Sequence, residues 1–496
     1  MAMAASADKT EEAQQESSAA PAEPVDDFVS THHTIAARGG ELSYTATTGR
    51  IVLREEVYTD GKFEGHKPTA EVFLTSYVAD GESGGRPVTF AFNGGPGSAS
   101  VWLHLGVLGP RRVVSGDAGD LAAPPYGVVD NAETLLEHSD LVFIDPVSTG
   151  YSRAVEGGTP GEFHGFQGDV ESVAEVIRLW TTRNGRWLSP KYLAGESYGT
   201  LRAAALAEHL QGRYGLYLNG LLLISSVLDL GTVFFSEGND VPYAMYLPTY
   251  AAIAHHHGKH GDRPLREVLD EAEEFASDDY PRALARGARL SSAERAEVVR
   301  RTAALTGLSE DYVDRADLRI EHLRYFTELL RDQRRTVGRM DGRFLGWEPD
   351  AVGEKFTDDP SISGIRGAYS SAINHYLREE LDYASDLPYE LLTSRVHPWS
   401  YKEFEGTRVS AVGRLSAAMR TNPHLRIHVG CGYTDGATPY FAAEHVLSQL
   451  RIPEQLRDNI DVRYYDAGHM MYVHEPSRLA QSADLAEFIT GTRPTY

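Results

Sequence analysis

Six short apolar runs, each closing on a glycine-rich or polar turn, set the strongest limit on how this chain can fold. They are PVTFAFNGG, DLVFIDPVSTG, KYLAGESYG, GLLLISSV, LRIHVGCGYTDG and VRYYDAGH. Their strand portions are almost continuously apolar, the pattern of parallel strands covered on both faces. Helical stretches such as DVESVAEVIRLWTTR and TLRAAALAEHLQGR lie between them. That alternation predicts an α/β fold, a mostly parallel central sheet with helices on both faces. Upstream, ELSYTATTGRIVLREEVYTD and TAEVFLTSYVAD alternate in strand fashion around GKFEGHKP, predicting an antiparallel pair.

The rhythm stops between residues 231 and 395. PLREVLDEAEEFA, SSAERAEVVRRTAALTG and RIEHLRYFTELLRDQRR are charged and helical, and no convincing core strand interrupts them. The expected organisation is a disordered acidic tail over residues 1–28, a first part of the α/β core over 29–230, a mostly helical cap insertion over 231–395, and a second part of the core over 396–496. A chain of 496 residues exceeds the size at which one hydrophobic core stops growing, which agrees with a large insertion. The tail, rich in Ala, Ser, Pro and Glu, lacks the basic and apolar regions of a signal peptide.

Charge and cysteine content narrow the function. Against 47 Lys and Arg stand 71 Asp and Glu, a net charge of −24, which argues against nucleic acid or an anionic membrane as partner. No run reaches the roughly 18 apolar residues of a membrane helix. The single cysteine, Cys431, forms no disulfide within the chain, as suits a reducing cytoplasmic setting, and reads as a small buried residue rather than a nucleophile. Self-association into a homo-oligomer is left open.

The stretch GESYG places Ser197 between Gly195 and Gly199 where a strand gives way to a helix. A serine hydroxyl is a poor nucleophile and needs an adjacent base; a tight strand-to-helix turn lifts it clear of the sheet and demands small neighbours. On such a scaffold the partners follow in the order acid, then histidine, at later strand ends. Asp435, after LRIHVGCGYT, and His469, after VRYYDAG, meet that order. His469 would take the Ser197 proton, and Asp435 would hold the imidazole tautomer. Asp466 is the rival acid, and Asp145 ends a strand but precedes the serine. The loop NGGPGSAS suits an oxyanion site, since glycines let a backbone N–H approach closely; the amide of Tyr198, after the nucleophile, would be a second donor.

FNGGPGSAS, DPVSTGYS, GESYG, GYTDG and AGHMMYVHEP, in this order, resemble the serine carboxypeptidase family, α/β-hydrolases that release C-terminal residues from peptides. The similarity runs from about residue 50 to the C-terminus and is weakest across the insertion. It implies a bacterial-type intracellular member without disulfides. It assigns Ser197, Asp435 and His469 to the triad, and Gly95 and Tyr198 to the oxyanion-hole amides. It assigns Asn93, Glu196 and the Gly94 amide to the substrate's free C-terminal carboxylate, with Glu196 protonated so that the two carboxyl groups share a proton. No metal or organic cofactor is implied. Two positions depart from the family. Ser98 stands at its usual cysteine, and Val107 stands where a second glutamate is common. Val107 predicts a weaker or differently built carboxylate site and removes the reason for a strongly acid optimum.

The alternatives are an esterase or acyltransferase using the same triad on non-peptide acyl groups, favoured by Val107, and a non-enzymatic binding module, disfavoured by the intact triad. HHHGKH, residues 255–260, lacks an acidic partner at ligand spacing and reads as a solvated helix end. RDQRR, residues 331–335, reads as a solvated face or a set of ion-pair partners. Tyr243, Tyr246 and Tyr250 recur at near-helical spacing and read as cap core, with pocket lining the second choice. The glycine loops lack the lysine and spacing of nucleotide sites.

Overall fold

The computed structural model describes residues 23–81 and 84–491. Most of the segment expected as a tail lies outside them. Its last residues bond to the first long hairpin: Asp27 accepts from the Arg50 backbone N–H at 2.6 Å, and Asp26 from that of Val52 at 2.8 Å.

The strands of the central sheet are β1 (Val29–Ala37), β2 (Gly40–Thr59), β3 (Lys62–Ala79), β4 (Val88–Phe92), β5 (Asp140–Ile144), β6 (Lys191–Glu196), β7 (Gly220–Ile224), β8 (Arg426–Gly432) and β9 (Ile460–Tyr465). They run in the order β1-β2-β3-β5-β4-β6-β7-β8-β9, with a two-residue strand, Arg153–Ala154, paired to β3. The six predicted apolar runs are β4 to β9, and all their mutual pairings are parallel. The predicted hairpin is β2 and β3, antiparallel over a long register with two irregularities. β1 pairs antiparallel with β2; the sequence reading had not placed a strand there.

Both sheet faces are covered, which explains the unbroken apolar runs. The long helices are α1 (Phe166–Arg183), α2 (Tyr198–Tyr214), α3 (Val241–His256), α4 (Leu265–Ser277), α5 (Ser292–Thr306), α6 (Pro360–His375), α7 (Val412–Thr421), α8 (Tyr440–Ser448) and α9 (Glu475–Thr490). In β7, Leu221 and Leu223 enter the core formed with α1, α2, α7 and α8. Leu222 and Ile224 point to the other face and pack with residues of the 101–108 turn, α6 and α9. β4 and β6 divide in the same way. A third core, built around Tyr246, Tyr250, Phe275 and Tyr325, holds α3, α4 and α5 together.

Parallel register brings the strand ends to one edge. Gly195 of β6 lies opposite Phe92 of β4, Glu196 opposite Ile224 of β7, and Ile224 opposite Gly430 of β8. The residues that follow each strand therefore converge at the carboxyl edge of the sheet, where ligands of open α/β sheets bind.

Beneath that edge sits a buried ion pair. The Arg202 guanidinium of α2 donates to Asp169 of α1 at 2.7 Å and to the Asn93 carbonyl at 2.6 Å, with both side chains almost wholly withdrawn from water. It also lies over the Phe92 and Tyr198 rings. Removing one partner of such a pair strands a charge in a low-dielectric interior. Asp169→Ala should therefore cost about 3–5 kcal/mol in urea unfolding. A double replacement by apolar residues of similar volume should cost less than this single change.

Candidate active site

Ser197 opens the turn between β6 and α2 with φ 61° and ψ −130°, a left-handed conformation unusual for a residue with a side chain. Its N–H donates to the Ile224 carbonyl at 3.0 Å, and its carbonyl accepts from Thr200 Oγ1 at 2.7 Å. The turn tolerates no side chain at Gly195, where a Cβ would stand 2.3 Å from the Gly199 carbonyl oxygen. The loop after β4 presses on the same turn: a Cβ on Gly94 would stand 2.5 Å from the Tyr198 nitrogen. Tyr198 is the first residue of α2, so its N–H is one of those without an intrahelical acceptor. Gly95, with φ 102°, is exposed in the loop facing it.

His469 follows β9 and is fully buried. Its Nδ1 lies 2.8 Å from Asp435 Oδ2. Asp435, in the loop after β8, also accepts from the backbone N–H groups of Ala437 at 2.8 Å and Thr438 at 2.9 Å, and from Thr438 Oγ1 at 2.7 Å. The backbone of His469 is held at both ends: its N–H donates to the Met340 carbonyl at 2.7 Å, and its carbonyl accepts from Ser225 Oγ at 2.5 Å. Burial pulls the imidazole pKa down, but the negative charges of Asp435 and Glu196 outweigh it, and the pKa lies above its usual value. Nε2 is buried without a hydrogen-bond partner among the described residues. It is the ring atom left free to receive a proton. Asp466, the rival acid, is exposed, and Asp145 is committed elsewhere, accepting from Ser100.

Glu196, the last residue of β6, is buried at 3% exposure. Oε1 accepts from Asn93 Nδ2 at 2.8 Å, and Oε2 accepts from the Tyr472 hydroxyl at 2.8 Å. Burial dominates and pushes its pKa up to about 7, although His469, Tyr472 and Asn93 all work in the opposite direction. Asn93 Oδ1 is in turn fixed by the Leu103 backbone N–H at 3.2 Å. Val107 is buried in the helical turn behind this loop, its carbonyl accepting from Asn131 Nδ2.

A cavity of about 380 Å³ joins these groups. Asn93, Gly94, Gly95, Glu196, Ser197 and His469 all line it. No hydrogen bond links the Ser197 hydroxyl to Nε2, although both residues line the cavity; such contacts often tighten only when substrate arrives. The tyrosines of α3 take no part: Tyr246 and Tyr250 are buried and donate to the Ala437 and Ile320 carbonyls. The histidines of residues 255–260 bond to carbonyls, His255 to Arg263 and His257 to Gly342. Among the described residues no group of three or more His, Cys, Asp or Glu is placed to hold a metal ion.

A family model described as serine carboxypeptidase matches residues 62–244, which include Asn93, Glu196 and Ser197. Over that segment the chain is similar to the serine carboxypeptidase family. Among curated relatives, the pheromone-processing carboxypeptidase KEX1 of Yarrowia lipolytica is 26% identical over 234 residues, 47% of this chain. The chain matches only 33% of that relative's length. Among solved structures, Kex1(delta)p, a prohormone-processing carboxypeptidase from Saccharomyces cerevisiae, matches with a TM-score of 0.52 at 14% identity. That match covers 90% of this chain and 91% of the other. It shows the shared fold, the α/β-hydrolase architecture expected from the sequence.

Three neighbours of the site escaped the sequence reading. Tyr472 sits three residues beyond His469 within AGHMMYVHEP, a spacing that could have flagged it. Thr438 and Arg339 left no signal, because their positions depend on how distant loops fold against His469.

The raised pKa of Glu196 is also a statement about stability. Its protonated form contributes stability in full below the ordinary value of 4.5, and this is lost as pH rises through about 7. Above that, an ionised carboxylate is held in a dry site at a cost on the order of 3 kcal/mol. Glu196→Gln, which cannot ionise, should unfold at a higher temperature than the parent at pH 8 and at nearly the same temperature at pH 4. An equal difference at both pH values would show that Glu196 does not titrate in this range.

Proposed function

We propose that this chain is a member of the serine carboxypeptidase family and acts as a serine-type carboxypeptidase, releasing C-terminal amino acids from peptides through an acyl-enzyme on Ser197. The observation that carries the proposal is the buried Glu196 directly beside Ser197, held by Asn93 and kept protonated by burial to about pH 7. A protonated carboxyl can donate to a substrate carboxylate; an ionised one repels it. Asn93, the Gly94 amide and Glu196 would thus bind the free C-terminus.

With the terminus held there, the Ser197 oxygen attacks the last peptide carbonyl while His469 Nε2 takes the hydroxyl proton. The oxyanion is stabilised by the Gly95 and Tyr198 N–H groups. As the intermediate collapses, the imidazolium gives its proton to the departing amine, and the terminal amino acid leaves. Water then attacks the ester, its proton passing to His469 and on to the Ser197 oxygen. Asp435 keeps Nδ1 as the protonated nitrogen and stabilises the imidazolium. The region over 231–395 belongs to the same proposal as a cap, roofing the cleft and setting side-chain preference. So does a cytoplasmic setting, supported by a single cysteine, which leaves no disulfide within the chain. Among the described residues no helix is long and apolar enough to cross a membrane.

Val107 favours a second proposal, an esterase or acyltransferase, because a site with one carboxyl group is weaker as a receptor for a charged terminus. The two separate on a peptide with a free C-terminus and its C-terminal amide. A carboxypeptidase should cleave the free acid at least tenfold better in kcat/KM, and equal rates would favour the esterase. Fluorophosphonate should label the parent and not Ser197→Ala; no labelling of the parent would leave a binding module.

Two opposed limbs set the pH profile. kcat should fall on the acid side as His469 is protonated, with a midpoint above 6.5, its usual value. KM for free-acid peptides should rise as pH passes about 7 and Glu196 ionises. Glu196→Gln should flatten the KM profile and leave the acid limb of kcat in place. An unchanged KM profile would remove Glu196 from substrate recognition.

A further inference from the structure

The cavity holds a cation for which the proposed chemistry has no use. Arg339 lines it together with Glu196, Ser197 and His469. Its backbone is fixed against the site: the next residue, Met340, accepts from the His469 N–H, and a Cβ on Gly436 would meet the Arg339 carbonyl at 2.8 Å. The side chain is half-buried. Among the described residues it forms no ion pair, and its guanidinium donates to Met340 Sδ at 3.6 Å.

The nearby carboxylates do not answer it. Asp359 caps α6, spending Oδ1 on the Ser361 and Arg339 backbone N–H groups and Oδ2 on that of Met340. Asp358 is exposed at the rim. A second guanidinium, Arg366 of α6, lines the same cavity, exposed and without an ion pair among the described residues. Arg339 is close enough for its charge to oppose protonation of His469. In a chain carrying −24, two arginines left without carboxylate partners in the cavity of the nucleophile form a built receptor for an anion.

We propose that Arg339, with Arg366 as a second cation, reads an acidic side chain of the substrate at one of the two residues flanking the scissile bond. The preferred substrates are then peptides ending in, or carrying next to last, Asp or Glu. This deepens the carboxypeptidase proposal and rests on it. The substrate's terminal carboxylate is the other source of the same chemistry, and Asn93, Gly94 and Glu196 already account for it.

The test separates binding from turnover. Acetyl-Ala-Ala-Glu, acetyl-Ala-Glu-Ala and their glutamine twins are titrated calorimetrically into Ser197→Ala and Ser197→Ala/Arg339→Gln. One glutamate peptide should bind Ser197→Ala about tenfold tighter than its twin, as a charge-assisted contact gives. Arg339→Gln should reduce that ratio below about threefold, and Arg339→Lys should keep part of it. Equal binding of both pairs, or a preference that survives Arg339→Gln, overturns the proposal. So does an equal loss on glutamine and glutamate peptides, which would assign Arg339 to the terminal carboxylate. Turnover of the same peptides by the parent then judges the underlying activity. A binding preference without cleavage keeps the acidic receptor and sinks the carboxypeptidase. Melting temperatures of the variants, expected within a few degrees of the parent, exclude a folding defect.

Discussion

The site depends on a contact too close for side chains. The loop after β4 and the turn after β6 meet backbone to backbone, so that a Cβ on Gly94 would fall 2.5 Å from the Tyr198 nitrogen. That approach sets Asn93, Gly94 and Gly95 beside Ser197, and it brings a loop amide and the first amide of α2 to the same small volume. The strain of a serine at φ 61° is sustained because its neighbours are over-determined. Its N–H is bonded to β7, its carbonyl to Thr200, and the loop opposite is tied from below by Arg202. A looser contact would free the turn to relax and separate the hydroxyl from the amides. Packing and chemistry are one constraint here.

Burial then distinguishes two carboxyl groups near one imidazole. Asp435 is ringed by donors: two backbone N–H groups, the Thr438 hydroxyl and the His469 ring. Glu196 has only an amide and a phenol, and desolvation prevails, raising it to about 7. The two carboxyl groups thus sit in unlike surroundings, and it is the donor-poor Glu196 whose proton is held more tightly. The glutamate directly before Ser197 holds its proton more tightly than usual because the strand that carries it is buried on both faces.

Much of this was legible in the sequence because it is local. The six parallel strands appeared as apolar runs, since burial on both faces leaves no polar position to break them. GESYG announced a strand-to-helix turn, and the order of Ser197, Asp435 and His469 follows from the sheet's register. Other features are not local. β1 alternates weakly, VSTHHTIAA, because only its pairing with β2 and a partly covered face hold it. Thr438 matters through its reach to Asp435, and Arg339 through a loop that meets His469 some 130 residues later in the chain. A partner defined by tertiary approach leaves no periodicity and no spacing to read.

The cleft is consequently composite, and its two halves answer to different pressures. The sheet edge supplies Ser197, Glu196 and the loop of Asn93, Gly94 and Gly95, held by backbone geometry that leaves no room for a side chain at Gly94 or Gly195. Arg339, Met340, Ile362, Ser363, Arg366 and Leu392, from the segment between β7 and β8, supply the facing wall. Charge on that wall can alter which peptide is held without moving the serine, the imidazole or the acid. The bond from the His469 N–H to the Met340 carbonyl keeps the wall in register with the base. Arg339, one residue before that bond, thus has its backbone anchored beside His469 while its side chain lines the cavity, which is what the proposed contact with an acidic substrate side chain would use.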